Sequence, residues 1–76
     1  MNILDLLRDT RTGTVKLYYN HFRSDEPMTL LCTCEPSVAG ITISQSAESA
    51  NLSFYDLKEG AWKSVRTKTI TGWDIV

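Results

Sequence analysis

Two cysteines, Cys32 and Cys34, lie one residue apart in the stretch LLCTCEPS, and the chain contains no others. They could be two ligands of a metal site, a redox pair, or two core side chains on a strand. On a strand, side chains two positions apart point the same way but stand about 6.5–7 Å apart, which disfavours a disulfide between them. A metal site needs four ligands, and only His21 and an unpaired carboxylate could complete one. We therefore expect two buried thiols, no bound metal and no other cofactor.

A thiol could also act as a nucleophile, with His21 as its base. That chemistry needs a base within hydrogen-bonding reach and a group that orients it, and a chain of 76 residues leaves little room for a deep pocket. The remaining carboxylates suggest no acid–base pair, because Asp25 and Glu26 are adjacent in a turn and Asp56 is placed to accept turn hydrogen bonds. Phosphate-binding loops, metalloprotease helices and zinc-finger spacings are missing. We expect a protein that is not an enzyme.

Four basic residues fall close together near the C-terminal end of the chain, with only Glu59 opposing them. Strand alternation places two of them on one side and one on the other, and Tyr18 or Trp73 could offer a stacking surface beside them. The net charge of −1 favours an ordinary solvated strand face over nucleic-acid contact. The sequence is compatible with both interpretations. The candidate nucleic-acid-binding residues are Lys58, Lys63, Arg66 and Lys68.

Length and composition indicate one small globular domain. With 76 residues, the chain is near the size at which a hydrophobic core becomes marginal. The start MNILDLLRDT has a short apolar run interrupted by Asp5, unlike a signal peptide, and no window reaches the ~18–20 apolar residues that a membrane helix needs. We expect a cytoplasmic protein with reduced cysteines and no membrane partner.

The spacing of apolar residues predicts a short helix over residues 1–12. Asn2 is placed to cap it, Asp5 favours the positive end of its dipole, and Gly13 is a terminator. A helix this short is not stable alone in water, so its apolar face must dock on another element. The sheet that follows is the expected partner.

From Thr14 the apolar period becomes two, which predicts strands. They are expected in TVKLYYN, in MTLLCTC, in a hairpin of NLSFYDL and AWKSVRT that turns at residues 58–60, and in TITGWDIV. Residues 44–51 are small and polar, and we expect a mobile loop there. A helix followed by about five short strands predicts a mainly β protein whose single domain, residues 1–76, is a small closed barrel.

Three segments carry a family resemblance: NILDLLRDTRTGTVKLYY, MTLLCTCEP and FYDLKEGAWKSVRTKTITGW. Their characteristic residues are Leu6, Leu7 and Arg8 in the helix; Cys32, Thr33 and Pro36 in the centre; and Asp56, Leu57, Trp62, Lys63, Ser64 and Arg66 in the hairpin. Together they resemble the small bacteriophage Sm-like barrel proteins grouped with WYL-type domains, over most of the chain except residues 41–51. The resemblance implies a helix plus a five-stranded Src-homology-type barrel, a phage origin and no catalytic activity.

Two functions follow as hypotheses. The first is a phage-encoded interaction module that binds and modulates a host protein through Tyr18, His21, Phe22 and Trp73, with residues 44–51 as an adaptable rim. The alternative is a nucleic-acid-binding barrel that contacts RNA or DNA through the four basic residues. Self-association into a homo-oligomer is compatible with either function, because a small barrel leaves strand edges that can pair.

Overall fold

A computed structural model describes residues 2–76, which form two helices and five strands. A 3-10 turn, Thr67–Thr69, separates the last two strands. In chain order the elements are α1 (Ile3–Thr12), β1 (Thr14–Asn20), β2 (Pro27–Thr33), α2 (Pro36–Ala39), β3 (Asn51–Asp56), β4 (Ala61–Arg66) and β5 (Ile70–Ile75). Neither helix in the described range has the length and apolar composition needed to cross a lipid bilayer.

Helix α1 forms where the sequence predicts it. The side chain of Asn2 accepts a hydrogen bond of 3.0 Å from the backbone N–H of Leu4, which confirms the predicted cap. Leu6 and Leu7 are buried against the sheet, as a short amphipathic helix requires. The helix ends at Gly13, as expected, and the predicted first residue lies outside the described residues.

The five strands form one antiparallel sheet in the order β4-β3-β2-β1-β5. The mainly β architecture with an N-terminal helix is therefore confirmed. The sheet is open, contrary to the predicted closed barrel, because no ladder joins the two edge strands β4 and β5. Strands β2 and β3 pair at only two positions. Helix α1, together with Ile43 and Ala47, covers the part of the core that a closed barrel would cover with paired strands.

Alternating side chains of the strands build the core. Strand β1 buries Val15 and Leu17, and β3 buries Leu52 and Phe54, all at 0% exposure. This is the period of two predicted from the sequence. The β3–β4 hairpin turns at residues 57–60, where Gly60 adopts a φ of 65°, a conformation that suits glycine.

Segment 41–50 contains no helix or strand, and the predicted loop residue Asn51 is instead the first residue of β3. The Gln45 side-chain amide pairs with both backbone groups of Ser53, at 2.6 Å to its N–H and 2.9 Å to its carbonyl. Ser49 and Ala50 accept hydrogen bonds from Thr67. Gln45 thus takes the place of a neighbouring strand beside β3, and the mobility of residues 44–51 stays a prediction.

One buried hydroxyl joins α1 to the sheet. The Thr33 hydroxyl lies 2.7 Å from the carbonyl oxygen of Gly13 and 3.1 Å from that of Thr10, and it accepts a hydrogen bond of 3.0 Å from the N–H of Glu35. The N–H of Cys34 donates to the same Thr10 carbonyl at 2.8 Å. These contacts satisfy carbonyl groups that the end of a helix leaves without intrahelical partners.

We expect Thr33→Val to lower the free energy of unfolding by about 1–3 kcal/mol, because the valine keeps the shape but leaves buried polar groups unsatisfied. Urea denaturation followed by circular dichroism measures the change. The matched control is Thr29→Val on the same strand, where the side chain is exposed and little change is expected. Equal stability of the two variants would contradict the role assigned to the Thr33 hydroxyl.

Candidate functional site

The four predicted partner-binding residues are not brought together as one surface. His21 and Phe22 stack in the turn between β1 and β2, with ring centroids 5.1 Å apart. The Tyr18 hydroxyl donates to Asp74 at 2.7 Å, and this hydrogen bond raises the pKa of Tyr18. Trp73 pairs with Leu17 whereas Tyr18 pairs with Gly72, so Tyr18 and Trp73 point to opposite faces of the sheet.

Trp73 is held by the helix. Its indole N–H donates a hydrogen bond of 3.0 Å to a carboxylate oxygen of Asp9 in α1, and its ring packs against the core. A half-buried tryptophan with a satisfied N–H is typical of a structural contact. Trp73 therefore helps α1 dock on β5.

The four predicted nucleic-acid-binding residues are also dispersed. Lys58 lies in the β3–β4 turn, while Arg66 ends β4 and Lys68 lies in the 3-10 turn. Strand β4 separates these two groups by about 17 Å, at a rise of about 3.3 Å per residue. Lys63 lies between the two groups and forms two ion pairs: its ammonium group is 3.6 Å from Asp56 and 2.5 Å from Glu59. The basic side chains of the described hairpin therefore do not form one continuous, positively charged surface.

The Lys63 contacts belong to the hairpin turn. Hydrogen bonding to Glu59 raises the pKa of Lys63. Burial acts to raise the pKa of Asp56, but hydrogen bonds from the backbone N–H groups of Glu59 and Lys58, together with Lys63, outweigh it and hold that pKa below its ordinary value. Asp56 thus accepts turn hydrogen bonds, as the sequence predicts, and Lys63 neutralises it.

Phe22 lies at the centre of a cluster of side chains. Neither the predicted partner-binding residues nor the predicted nucleic-acid-binding residues include all members of this cluster. The guanidinium carbon of Arg66 lies 4.4 Å from the centroid of the Phe22 ring, and that of Arg23 lies 5.1 Å from it. Phe22 as a residue is 49% exposed. We call His21, Phe22, Arg23 and Arg66 the aromatic–arginine cluster. It joins the β1–β2 turn to the end of β4.

The β1–β2 turn fixes the position of the cluster. The N–H of His21 donates to the Glu26 carbonyl and the N–H of Asp25 donates to the His21 carbonyl, both at 2.8 Å. Asp25 closes the turn in the left-handed region, with a φ of 58°. The His21 ring nitrogen Nδ1 accepts backbone hydrogen bonds from Arg23 and Ser24 at 3.2 and 3.4 Å. These bonds orient the imidazole against Phe22.

A cavity of about 360 Å³ opens beside the cluster. His21, Phe22 and Arg66 of the cluster line one part of it, and Tyr19 and Val65 line another. Four side chains with amide or hydroxyl groups complete the lining. Those amide and hydroxyl groups can both donate and accept hydrogen bonds. They belong to Asn20, Asn51, Ser64 and Thr69.

The two guanidinium groups of the cluster form no ion pair in the described part of the chain. Within residues 2–76, no carboxylate lies within 4.0 Å of the guanidinium group of Arg23 or Arg66. The ion pairs of the described residues instead involve Arg8 and Lys63. The arrangement is suited to binding an anionic group next to an exposed aromatic ring.

Sequence reasoning missed Arg23 and the polar wall of the cavity. The adjacency of His21, Phe22 and Arg23 is visible in the sequence and could have marked a cluster. The contact between Phe22 and Arg66 has no sequence signal, because it depends on where the end of β4 passes the β1–β2 turn.

Both thiols lie in the core, as predicted. Cys32 is 0% exposed and Cys34 is 7% exposed. Burial, followed by the neighbouring Cys34 and Asp56, raises the pKa of Cys32 to about 12. Burial also raises the pKa of Cys34, whose thiol donates to the carbonyl of Ser53 at 3.4 Å. No metal-ligating group of three or more side chains is found among residues 2–76.

We expect both native thiols to resist alkylation by iodoacetamide at neutral pH until the protein unfolds. For Cys32, a pKa near 12 instead of 9.0 leaves roughly a thousandfold less thiolate. Mass spectrometry of timed samples with and without urea measures the labelling. The thiol that Ser37→Cys introduces on the exposed surface of α2 is the control and should label rapidly. Equally fast labelling of Cys32 or Cys34 in the native protein would contradict their burial.

No protein-family model, no curated protein and no solved structure matches this chain. The resemblance to phage Sm-like proteins therefore stays a prediction. The aromatic–arginine cluster and its cavity are the features of the described residues that bear most directly on function.

Proposed function

We propose that this protein is a non-enzymatic interaction module that binds a protein partner at the aromatic–arginine cluster. The observation that carries this proposal is the position of Arg66, whose guanidinium lies 4.4 Å from the ring centroid of the half-exposed Phe22 at the wall of a cavity. Aromatic residues and arginine are enriched at protein interfaces, and arginine is prominent among the residues that dominate binding energy. The hydrogen-bonded β1–β2 turn positions Phe22 before a partner binds, which reduces the conformational entropy lost on association.

The environment of the thiols supports a non-enzymatic role. Catalysis by a cysteine needs an accessible thiolate beside a base. Both cysteines are buried, and their raised pKa values disfavour the thiolate. The Nδ1 atom of His21 is already engaged with the backbone of its own turn.

The origin and partner proposed here rest on the family resemblance. We place the protein among phage-encoded Sm-like proteins, with a bacterial host protein as its partner in the host cytoplasm. The helix that leads into β1 and the presence of five antiparallel strands support this assignment, whereas the open sheet departs from the closed barrel that the resemblance implies. The free edges of β4 and β5 support self-association as a further property, because their outer backbone groups are available for strand pairing.

Binding to RNA or DNA is the second candidate function. The observation that favours it is a groove of about 420 Å³ in which Arg66 and Lys68 face segment 47–51. Against it, Lys63 is neutralised and Lys58 lies at the other end of β4. Binding of a nucleic-acid backbone depends on several such cations acting together, so we rank this function below protein binding.

We expect Phe22→Ala and Arg66→Ala each to reduce capture of the partner from bacterial lysate at least about tenfold, which corresponds to about 1.4 kcal/mol. Tagged protein is used for capture, with and without nuclease, and mass spectrometry quantifies the bound proteins. Val38→Ala, at an apolar side chain with a similar exposure of 47%, and Lys58→Ala are the matched controls and should leave capture unchanged.

Two results would count against protein binding at the cluster. Equal capture by all four variants would place the binding surface elsewhere. Loss of the captured protein after nuclease treatment would favour the nucleic-acid function, especially if the binding also weakened steeply with salt.

A further inference from the structure

We propose that the aromatic–arginine cluster recognises an acidic peptide segment, in which an aspartate or glutamate lies next to an apolar side chain. The carboxylate would bind the guanidinium groups of Arg23 and Arg66, and the apolar side chain would pack on the exposed part of Phe22. This inference rests on the proposed function, since it specifies the chemistry of the partner at the same site.

The two arginines of the cluster are available to bind a negatively charged group. Arg23 and Arg66 both lie over one aromatic ring, at 5.1 and 4.4 Å, and neither is within 4.0 Å of a carboxylate in the described part of the chain. A guanidinium presents five N–H donors in a planar fork that matches a carboxylate. Because both cations contact the same ring, their charges add at one place on the surface, which favours a negatively charged ligand.

The carboxylates nearest in sequence form no ion pair with these arginines. Asp25 and Glu26 follow Arg23 in the same turn, yet neither forms an ion pair with Arg23 or Arg66. The turn is held by backbone bonds of His21 with Asp25 and Glu26. An incoming carboxylate therefore displaces no existing ion pair.

The cavity beside the cluster has a size and a lining that suit part of a peptide. Its volume of about 360 Å³ is near the lower end of the range of about 300–1,000 Å³ for small-ligand pockets, so it suits one or two side chains. Asn20 and Asn51 can hydrogen-bond to the backbone of a bound peptide, as can the hydroxyl groups of Ser64 and Thr69. Phe22 supplies the apolar contact, with half of its surface exposed.

A short acidic peptide fits this site better than a polyphosphate chain. A nucleic acid would bring a phosphate at every nucleotide, and Asp25 and Glu26 would repel those that extend past the turn. Lys63, which could have extended the basic surface along β4, is paired with Asp56 and Glu59. A single carboxylate needs only the two arginines.

The experiment is selection of short random peptides displayed on a carrier, performed in parallel on the full chain and two double variants. Arg23→Gln with Arg66→Gln removes the receptor charges. Lys16→Gln with Lys58→Gln removes two exposed charges away from the cluster and is the matched control. Because all four side chains are exposed, the variants should fold, and thermal unfolding checks this.

We expect the full chain and the lysine variant to enrich peptides with an acidic residue beside an apolar one. A synthetic copy of an enriched peptide should bind the arginine variant at least about tenfold more weakly. Replacing the acidic residue of the peptide by its amide should weaken binding to the full chain by a similar factor, with no further loss on the arginine variant.

Equal binding of the enriched peptide to the full chain and the arginine variant would overturn the inference. If Phe22→Ala still weakened that peptide, the proposed binding site would stand and only its acidic specificity would be wrong; if Phe22→Ala had no effect, both would be wrong. A uridine oligonucleotide is a separate probe. If it bound more tightly than any enriched peptide, with binding that weakened with salt and was lost in the arginine variant, the site would be assigned to phosphate instead.

Discussion

Docking of α1 on the sheet is the constraint on which the rest of this structure depends. A chain of 76 residues has few core side chains, and Leu6 and Leu7 are two of the eleven buried apolar side chains among residues 2–76. The Thr33 hydroxyl and the N–H of Cys34 fix the end of the helix to the end of β2 through helix carbonyls. This junction lets the strands form an open sheet without leaving the core uncovered.

The openness of the sheet explains where the candidate site lies. The β3–β4 hairpin pairs with β2 at only two positions, and side chains strengthen its attachment elsewhere. Gln45 pairs with Ser53 beside β3, and Arg66 lies over Phe22 at the far end of β4. The aromatic–arginine cluster thus lies at a contact between the hairpin and the β1–β2 turn, and a partner bound there would touch both parts of the sheet.

The elements of this fold are readable from local pattern, whereas the site is not. The cap at Asn2, the alternation of Val15 and Leu17, and the burial of Cys32 each follow from side-chain period and backbone chemistry. Closure of the sheet was predicted wrongly, because it depends on long-range strand pairing that no local pattern encodes. The Arg66–Phe22 contact could not be predicted for the same reason. It brings Phe22 of the predicted partner-binding surface and Arg66 of the predicted nucleic-acid-binding surface into a single cluster.

The most direct test of the central claim is proton NMR of the free protein, because the cluster is proposed to exist before any partner binds. We predict ring-current upfield shifts for the Arg66 side-chain protons and nuclear Overhauser contacts between them and the Phe22 ring. Phe22→Leu should remove the shifts while leaving the amide resonances of β3 in place. Random-coil shifts for the Arg66 side chain, with no contact to Phe22, would contradict the preformed site.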